Sequence, residues 1–484
     1  MKLSGIGMCN LLPPIWMLFL LIMRIIINRF IRPFYFGKVY IDNIFKNYNE
    51  LKFSCALEYN KGMKNVRTAG LFILFAVLFL LCGKGFHYLL VDDTKSYTRV
   101  MMNEFYHQKN IDILFVGSSH CYEALDPAVT DEIFEANTFN AGSSLQAQDA
   151  SFALIREAVE RYDVKQIFFE MYYFMMSNDE YNEREQLTST YIISDYMRPS
   201  LNKARFLLEA SSPKYYVNSF LPARRNWERL LHPSEIRDLL TAKSERSYKN
   251  YSPFGDYRTK GFVANQGSIL NGILLDTAGF DSIHVENASK DWLKTIRQII
   301  EYCGKKGVRL TLFSSPMTLF QTAGVGNYDD YIAFIRDLTA PSGVEYVDFN
   351  LCREKFFDQK TDYFSDAGHM NETGAQIFSR VFAEYFTGKI TAEDLFYDSM
   401  ADKIAASGPQ ILGLSFLDSG DGMRKLKIVS TLPEGTLYSA ALMTEDGTTQ
   451  ILKENDADPY FEIPQTEHGT IRISTENITA EVEV

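Results

Sequence analysis

The chain has 484 residues, of which 46% are apolar and 14% aromatic, enough for two or three domains with ordinary globular cores. Its formal charge of −12 is unevenly spread: residues 1–67 hold ten Lys and Arg against three Asp and Glu, which leaves −19 on the remainder. An acidic body of that size lacks the clustered cations that phosphate contacts require, which argues against a nucleic-acid role.

The amino-terminal 1–68 is basic and contains an apolar stretch, 11–27, interrupted by Pro13, Pro14 and Arg24. A second span, a re-entrant segment, or a leader upstream of a start at Met63 all stay open for it. Residues 69–90 are nearly uninterrupted apolar sequence, about the length that crosses a bilayer. Lys61, Lys64 and Arg67 precede this run and Asp92 and Asp93 follow it. That asymmetry predicts a membrane helix with its amino side cytoplasmic and residues 92–484 outside, in the cell envelope. No small-residue cleavage site stands out, so retention in the membrane is expected.

From 92 to about 390, continuous apolar strands alternate with amphipathic helices. Strands are predicted at 111–116, 137–140, 164–170, 308–313 and 344–349, and helices at 148–162, 292–303, 328–338 and 375–385. Unbroken apolar strands need cover on both faces, so the expectation is a parallel, three-layer α/β domain. An insert, 175–290, separates the third and fourth strands and is rich in Tyr, Arg and Asn. Long insertions of this kind often act as lids or binding surfaces, whereas its tyrosines also suit a small helical subdomain. From 405 to 484 short alternating segments separated by Asp-Gly and Pro-Glu-Gly turns predict a small antiparallel β-sandwich.

Two stretches carry chemistry. Ile111-Asp-Ile-Leu-Phe-Val-Gly-Ser-Ser-His120 is a buried strand running into a small-residue turn, and Asp366-Ala-Gly-His-Met-Asn-Glu-Thr-Gly-Ala375 sets an acid and an imidazole three apart before a helix. A Ser at the carboxyl end of a central strand is a candidate nucleophile, and it needs a base with an orienting acid. Ser119, His369 and Asp366 supply the three roles. Cys121 is a weaker nucleophile candidate, since the helix after Ser119 turns it inward. The six cysteines show neither disulfide nor metal spacing, and no cofactor or metal is expected.

Gly117-Ser118-Ser119 resembles the nucleophile block of the SGNH (GDSL-like) hydrolases, and Asp366-x-x-His369 resembles their last block. Phe139-Asn140-Ala141-Gly142 is similar to the second block, which implies that the N–H groups of Ser119 and Gly142 bind an oxyanion. Among superfamily members, the variants here look most like membrane-anchored alginate O-acetylation and D-alanyl transfer proteins. The resemblance covers roughly 105–390 and implies a flavodoxin-like SGNH fold, an N-terminal transmembrane anchor and serine O-acyltransferase or esterase activity. A cell-surface polysaccharide and a membrane-bound acyl-donor protein would be its partners. The third block, usually Gly-x-Asn-Asp, is unmatched: Met171-Tyr172-Tyr173-Phe174 stands there instead. Tyr172 or Tyr173 is the expected replacement donor, and along an extended segment only one can face the site. His120 is expected to contact substrate or cap its helix, and Asn371 to contact substrate or brace the His369 loop. The unmatched block also fits an alternative, a catalytically degenerate envelope protein that binds glycan or scaffolds surface-polymer assembly.

Overall fold

A computed structural model describes residues 50–94, 96–176, 188–244, 255–269, 273–276, 282–359, 361–418, 422–444 and 447–484. The apolar stretch 11–27 lies outside the described residues. The chain forms two compact units, Met1–Lys84 and Gly85–Val484. A single helix runs from Glu50 to Leu90. Within it, Thr68–Leu90 is the one segment among the described residues long and apolar enough to cross a membrane. Its 23 residues would extend about 34 Å, slightly more than a bilayer's apolar thickness.

The second unit is built on strands β1 (Ile113–Val116), β2 (Thr138–Asn140) and β3 (Gln166–Glu170). In the insert follow three short strands, β4 (Asp256–Tyr257), β5 (Val263–Ala264) and β6 (Ile273–Asp276). β7 (Arg309–Ser314) and β8 (Glu345–Asp348) complete the main sheet, whose order is β2-β1-β3-β7-β8. All its pairings are parallel. This is the doubly wound order of flavodoxin-like folds, with its switch point between β1 and β3.

The strands read as continuous apolar runs because both faces are covered. Leu114, Val116, Ile167, Phe169, Leu310 and Leu312 share a core with helices 97–107, 148–161, 290–306 and 328–339. Ile113, Phe115, Phe168, Phe313 and Val347 point the other way. The strand period of two sends them to the helix Glu372–Phe386, where Phe168 meets Phe382 at 4.9 Å and Phe386 at 4.6 Å between ring centroids.

The described part of the insert is mostly helical from Thr188 to Ser244. It returns as the β4–β5 hairpin, which covers the edge of β2: the Asn140 N–H donates to the Lys260 carbonyl at 2.9 Å. A Cβ on Gly261, which has φ +89°, would lie 1.6 Å from the Asn140 carbonyl oxygen, so only glycine permits this approach. Tyr248 and Tyr251 lie outside the described residues, while Tyr191 lies flat under the Arg225 guanidinium at 3.7 Å. The tyrosine here is part of a packed subdomain.

The carboxyl-terminal strands are β9 (Ile411–Asp418), β10 (Met423–Ser430), β11 (Tyr438–Thr444), β12 (Thr449–Asp456), β13 (Tyr460–Pro464), β14 (Gly469–Ser474) and β15 (Thr479–Glu483). They form sheets β13-β10-β9-β6 and β12-β11-β14-β15 around Leu414, Leu426, Ile428, Leu442, Ile471 and Ile473. β6 is borrowed from the insert and pairs parallel to β9. Strand alternation in 405–484 could not reveal that, because the partner lies well over a hundred residues upstream.

Candidate active site

β1 ends at Val116 and the chain turns through Gly117 because no side chain fits there: a Cβ would sit 2.5 Å from that of Glu170. Ser118 then caps a one-turn helix, Ser119–Tyr122, its Oγ accepting the His120 N–H at 3.2 Å. Ser119 is thereby held at the carboxyl end of β1, next to the switch point. It is 8% exposed, and its N–H, at the first helical position, has no intrahelical acceptor.

The second half of the site lies on the loop before helix Glu372–Phe386. Ser119 Oγ is 2.7 Å from His369 Nε2, although 250 residues separate them in sequence. His369 Nδ1 lies 2.8 and 2.9 Å from the two Asp366 carboxylate oxygens. A carboxylate only accepts, so Nδ1 carries the ring proton and Nε2 is free to accept from the serine hydroxyl. Asp366 Oδ1 also accepts the N–H groups of Gly368 and His369, each at 2.8 Å. Burial pushes the Asp366 carboxyl up, but the His369 ring and these two N–H donors outweigh it and hold it at about 2. Burial likewise works against the His369 imidazolium, and the Asp366 hydrogen bond and charge more than offset it, raising its pKa.

The loop is braced from three sides. Asn371 caps the following helix: its Oδ1 accepts the Gly374 N–H at 3.0 Å and its Nδ2 donates to the Asp362 carbonyl at 2.7 Å. Both polar ends of that side chain are engaged in holding the loop, the bracing role of the two expected for it. The Thr318 N–H and hydroxyl both donate to the Ala367 carbonyl, at 3.0 and 2.8 Å. Ala367 also shares a small apolar cluster with Phe320 and with Val429 of β10, so the β-sandwich buttresses the loop that carries Asp366 and His369.

His120 is 5% exposed and its ring packs between two others. One face lies over His369, with centroids 4.5 Å apart and planes 15° apart, and Tyr172 packs against it at 4.1 Å. Burial, and next the His369 charge, push its pKa down to about 3, so it is a neutral ring. Its ring belongs to this stack and its backbone N–H to the cap on Ser118. Of the two tyrosines, Tyr172 stands in this ring stack. Tyr173 turns into the core against Tyr328 and Tyr331 and accepts from Gln321 Nε2 at 2.5 Å.

Gly142 lies against the nucleophile turn, where a Cβ would meet the carbonyl oxygens of Ser118 and Gly117 at 3.1 and 3.2 Å. Its N–H donates to Asn140 Oδ1 at 3.1 Å, so an oxyanion would have to compete with that amide for it. Cys121 is fully buried, and burial, followed by the Glu170 charge, raises its thiol pKa well above the ordinary value. Both oppose a thiolate nucleophile.

Two carboxylates escaped sequence reasoning. Glu170, the last residue of β3, accepts both the Ser118 N–H and the Ser118 hydroxyl on Oε2, each at 2.8 Å. Burial raises its carboxyl to about 7. It lines a small pocket whose wall mixes Ser118, Gln146 and Gln148 with Phe169, Met171 and Trp292. Glu123, on the turn after Ser119, accepts from Asn265 Nδ2 at 3.0 Å and so ties the returning insert to the nucleophile turn, its carboxyl raised by burial to about 6. The available signal was a Glu ending an otherwise apolar strand, which a buried sheet tolerates only when its lone pairs are met.

No family model and no curated protein matches the chain. Among solved structures, it is similar to a Bacteroides thetaiotaomicron GDSL-like lipase at 9% identity and TM-score 0.28, over 61% of this chain and 98% of that one. It is also similar to a Bacteroides fragilis protein described as an acylhydrolase, at 8% identity and TM-score 0.28, over 60% and 94%. Likenesses this remote carry no argument about chemistry; the fold stands on its own strand order.

Proposed function

We propose that this protein is a serine acyl-ester enzyme of the SGNH type, held at the membrane by Thr68–Leu90, that removes or transfers acyl groups, acetyl among them, on a cell-surface polysaccharide. The observation that carries the reading is the relay Ser119–His369–Asp366, with the hydroxyl 2.7 Å from a ring nitrogen whose opposite nitrogen faces a carboxylate. In the reaction, Ser119 Oγ attacks the ester carbonyl while its proton passes to His369 Nε2. The tetrahedral oxyanion is met by the Ser119 N–H, with the Gly142 N–H shared from Asn140. Collapse expels the alcohol, which leaves with the proton from His369, and a water or a sugar hydroxyl then resolves the acyl-enzyme by the same steps reversed.

The polysaccharide acceptor, a membrane-bound donor and an extracytoplasmic site follow from the anchor and from the resemblance of the sequence blocks. The test is hydrolysis of an aryl acetate by the purified protein, together with serine labelling by a fluorophosphonate. Turnover and labelling that both vanish in Ser119→Ala support the reading. A parent chain that neither turns over nor labels sinks it in favour of the non-catalytic envelope protein.

A further inference from the structure

The apolar helix ends at Leu90, and the carbonyls of its last turn lack intrahelical partners. Two cations from the insert meet them. Arg229 Nη1 donates to the Leu90 carbonyl at 2.6 Å, and Lys243 Nζ donates to the carbonyls of Tyr88 and Val91 at 2.8 Å each. Lys243 also pairs with Asp93 at 3.2 Å, with its side chain only 1% exposed. Positive charge at a helix carboxyl end is favourable, and here it clamps residues 229–243 to the point where the apolar segment stops.

The same part of the insert leaves large apolar side chains in solvent. Leu231 is 64% exposed, Val217 51%, and Phe220 and Leu221 43% each. Val217, Phe220 and Leu221 follow an i, i+3, i+4 spacing along Tyr216–Phe220 and its cap, so they share one face. The turn Pro222–Arg225 packs both on this helix and on Trp227–Leu231. Arg225 joins the two by donating to the Asn218 carbonyl at 2.9 Å. Half-buried Trp227 and exposed Lys214 and Arg224 stand among these residues. Exposed apolar side chains with an indole and cations in one short segment are the composition of a bilayer interface, where the indole sits among headgroups and cations meet phosphates.

We infer that residues 214–231 form a second membrane contact, an interfacial patch that lies in the headgroup layer where the helix leaves the bilayer. The occupant is a lipid surface because the patch is continuous with that exit: Arg229, two residues from Leu231, touches the last residue of the helix. This rests on the reading of Thr68–Leu90 as a membrane anchor.

The test reconstitutes the full chain into vesicles of phosphatidylcholine and phosphatidylglycerol, with and without lipids brominated high on the acyl chain, and reads tryptophan quenching relative to the parent. Leu231→Trp and Phe220→Trp probe the patch. Leu437→Trp, at an exposed site of the β-sandwich, is the solvent control, and Leu78→Trp reports the anchor. Extra quenching at 231 and 220, absent at 437, is expected. Quenching at 78 with 231 and 220 no different from 437 overturns the patch and leaves the anchor standing. Absence of quenching at 78 removes the anchor, and the patch with it.

Discussion

The ring of His120 lies over the ring of His369 with centroids 4.5 Å apart and planes 15° apart, and burial keeps the His120 ring neutral. A neutral face beside a ring that must take up a proton excludes water and favours the imidazolium, as a π face favours any cation. It also fills the space into which His369 could otherwise swing. His120→Ala is expected to lower turnover on an activated ester roughly a hundredfold while the fold persists, the cost of loosening the base. Gly368→Ala makes an independent test, since its Cβ would come within 2.8 Å of His120 Cε1 and push the stack apart. Steady-state kinetics with circular dichroism as the folding control checks both. Unchanged turnover in both variants would show that the stack is packing alone.

The raised pKa of His369 sets the acid side of the pH profile. The base works only when neutral, so kcat/KM should fall as pH drops through a value above the ordinary 6.5 of an imidazole. Asp366→Asn removes the charge that raises it and frees the ring to take the wrong tautomer. The acid limb should then move to lower pH, with turnover down by roughly 10^4-fold. A limb that stays in place in the variant would mean that another group controls it.

Tyr172 and Tyr173 separate by position. Tyr172 stands beside His120, and Tyr172→Phe should cost on the order of a hundredfold in turnover if its hydroxyl supplies the missing oxyanion donor. Tyr173→Phe should leave turnover intact and lower stability by about 1 kcal/mol, through loss of the Gln321 bond. Burst kinetics on an aryl acetate and denaturant unfolding distinguish the two effects. Equal turnover in Tyr172→Phe and the parent would assign that ring to packing.

Glu170 should leave a mark on stability. Its carboxyl rises from an ordinary 4.5 to about 7 in the folded chain, so folding favours the protonated acid. The contribution is present below about 4.5 and is lost as pH rises through about 7. At higher pH it amounts to a penalty on the order of 3 kcal/mol. Glu170→Gln keeps an acceptor for Ser118 and carries no charge. Urea unfolding at pH 5 and pH 8 should show the parent losing stability relative to the variant as pH rises. Parallel behaviour of the two chains would contradict this account of the buried carboxyl.

By itself, the sequence determined the main strands and helices of the α/β domain and their alternation. Runs such as Ile113–Val116 and Ile167–Phe169, set among amphipathic helices, require a sheet covered on both faces, because no half-exposed strand is apolar throughout. It also singled out Ser119, Asp366 and His369 by residue type and spacing, since a nucleophile needs a base and a base needs an acid whatever the fold. Only the tertiary structure decided what depends on long-range neighbours. That Glu170 holds Ser118 across 52 residues is one such fact. Others are that Asn371 spends both its polar ends on the loop, that Tyr172 and not Tyr173 joins the ring stack, and that β6 of the insert completes a sheet of the sandwich. Periodicity reports that a side chain is buried. Which group it meets is set by the folding of distant segments against one another, and that leaves no local pattern to read.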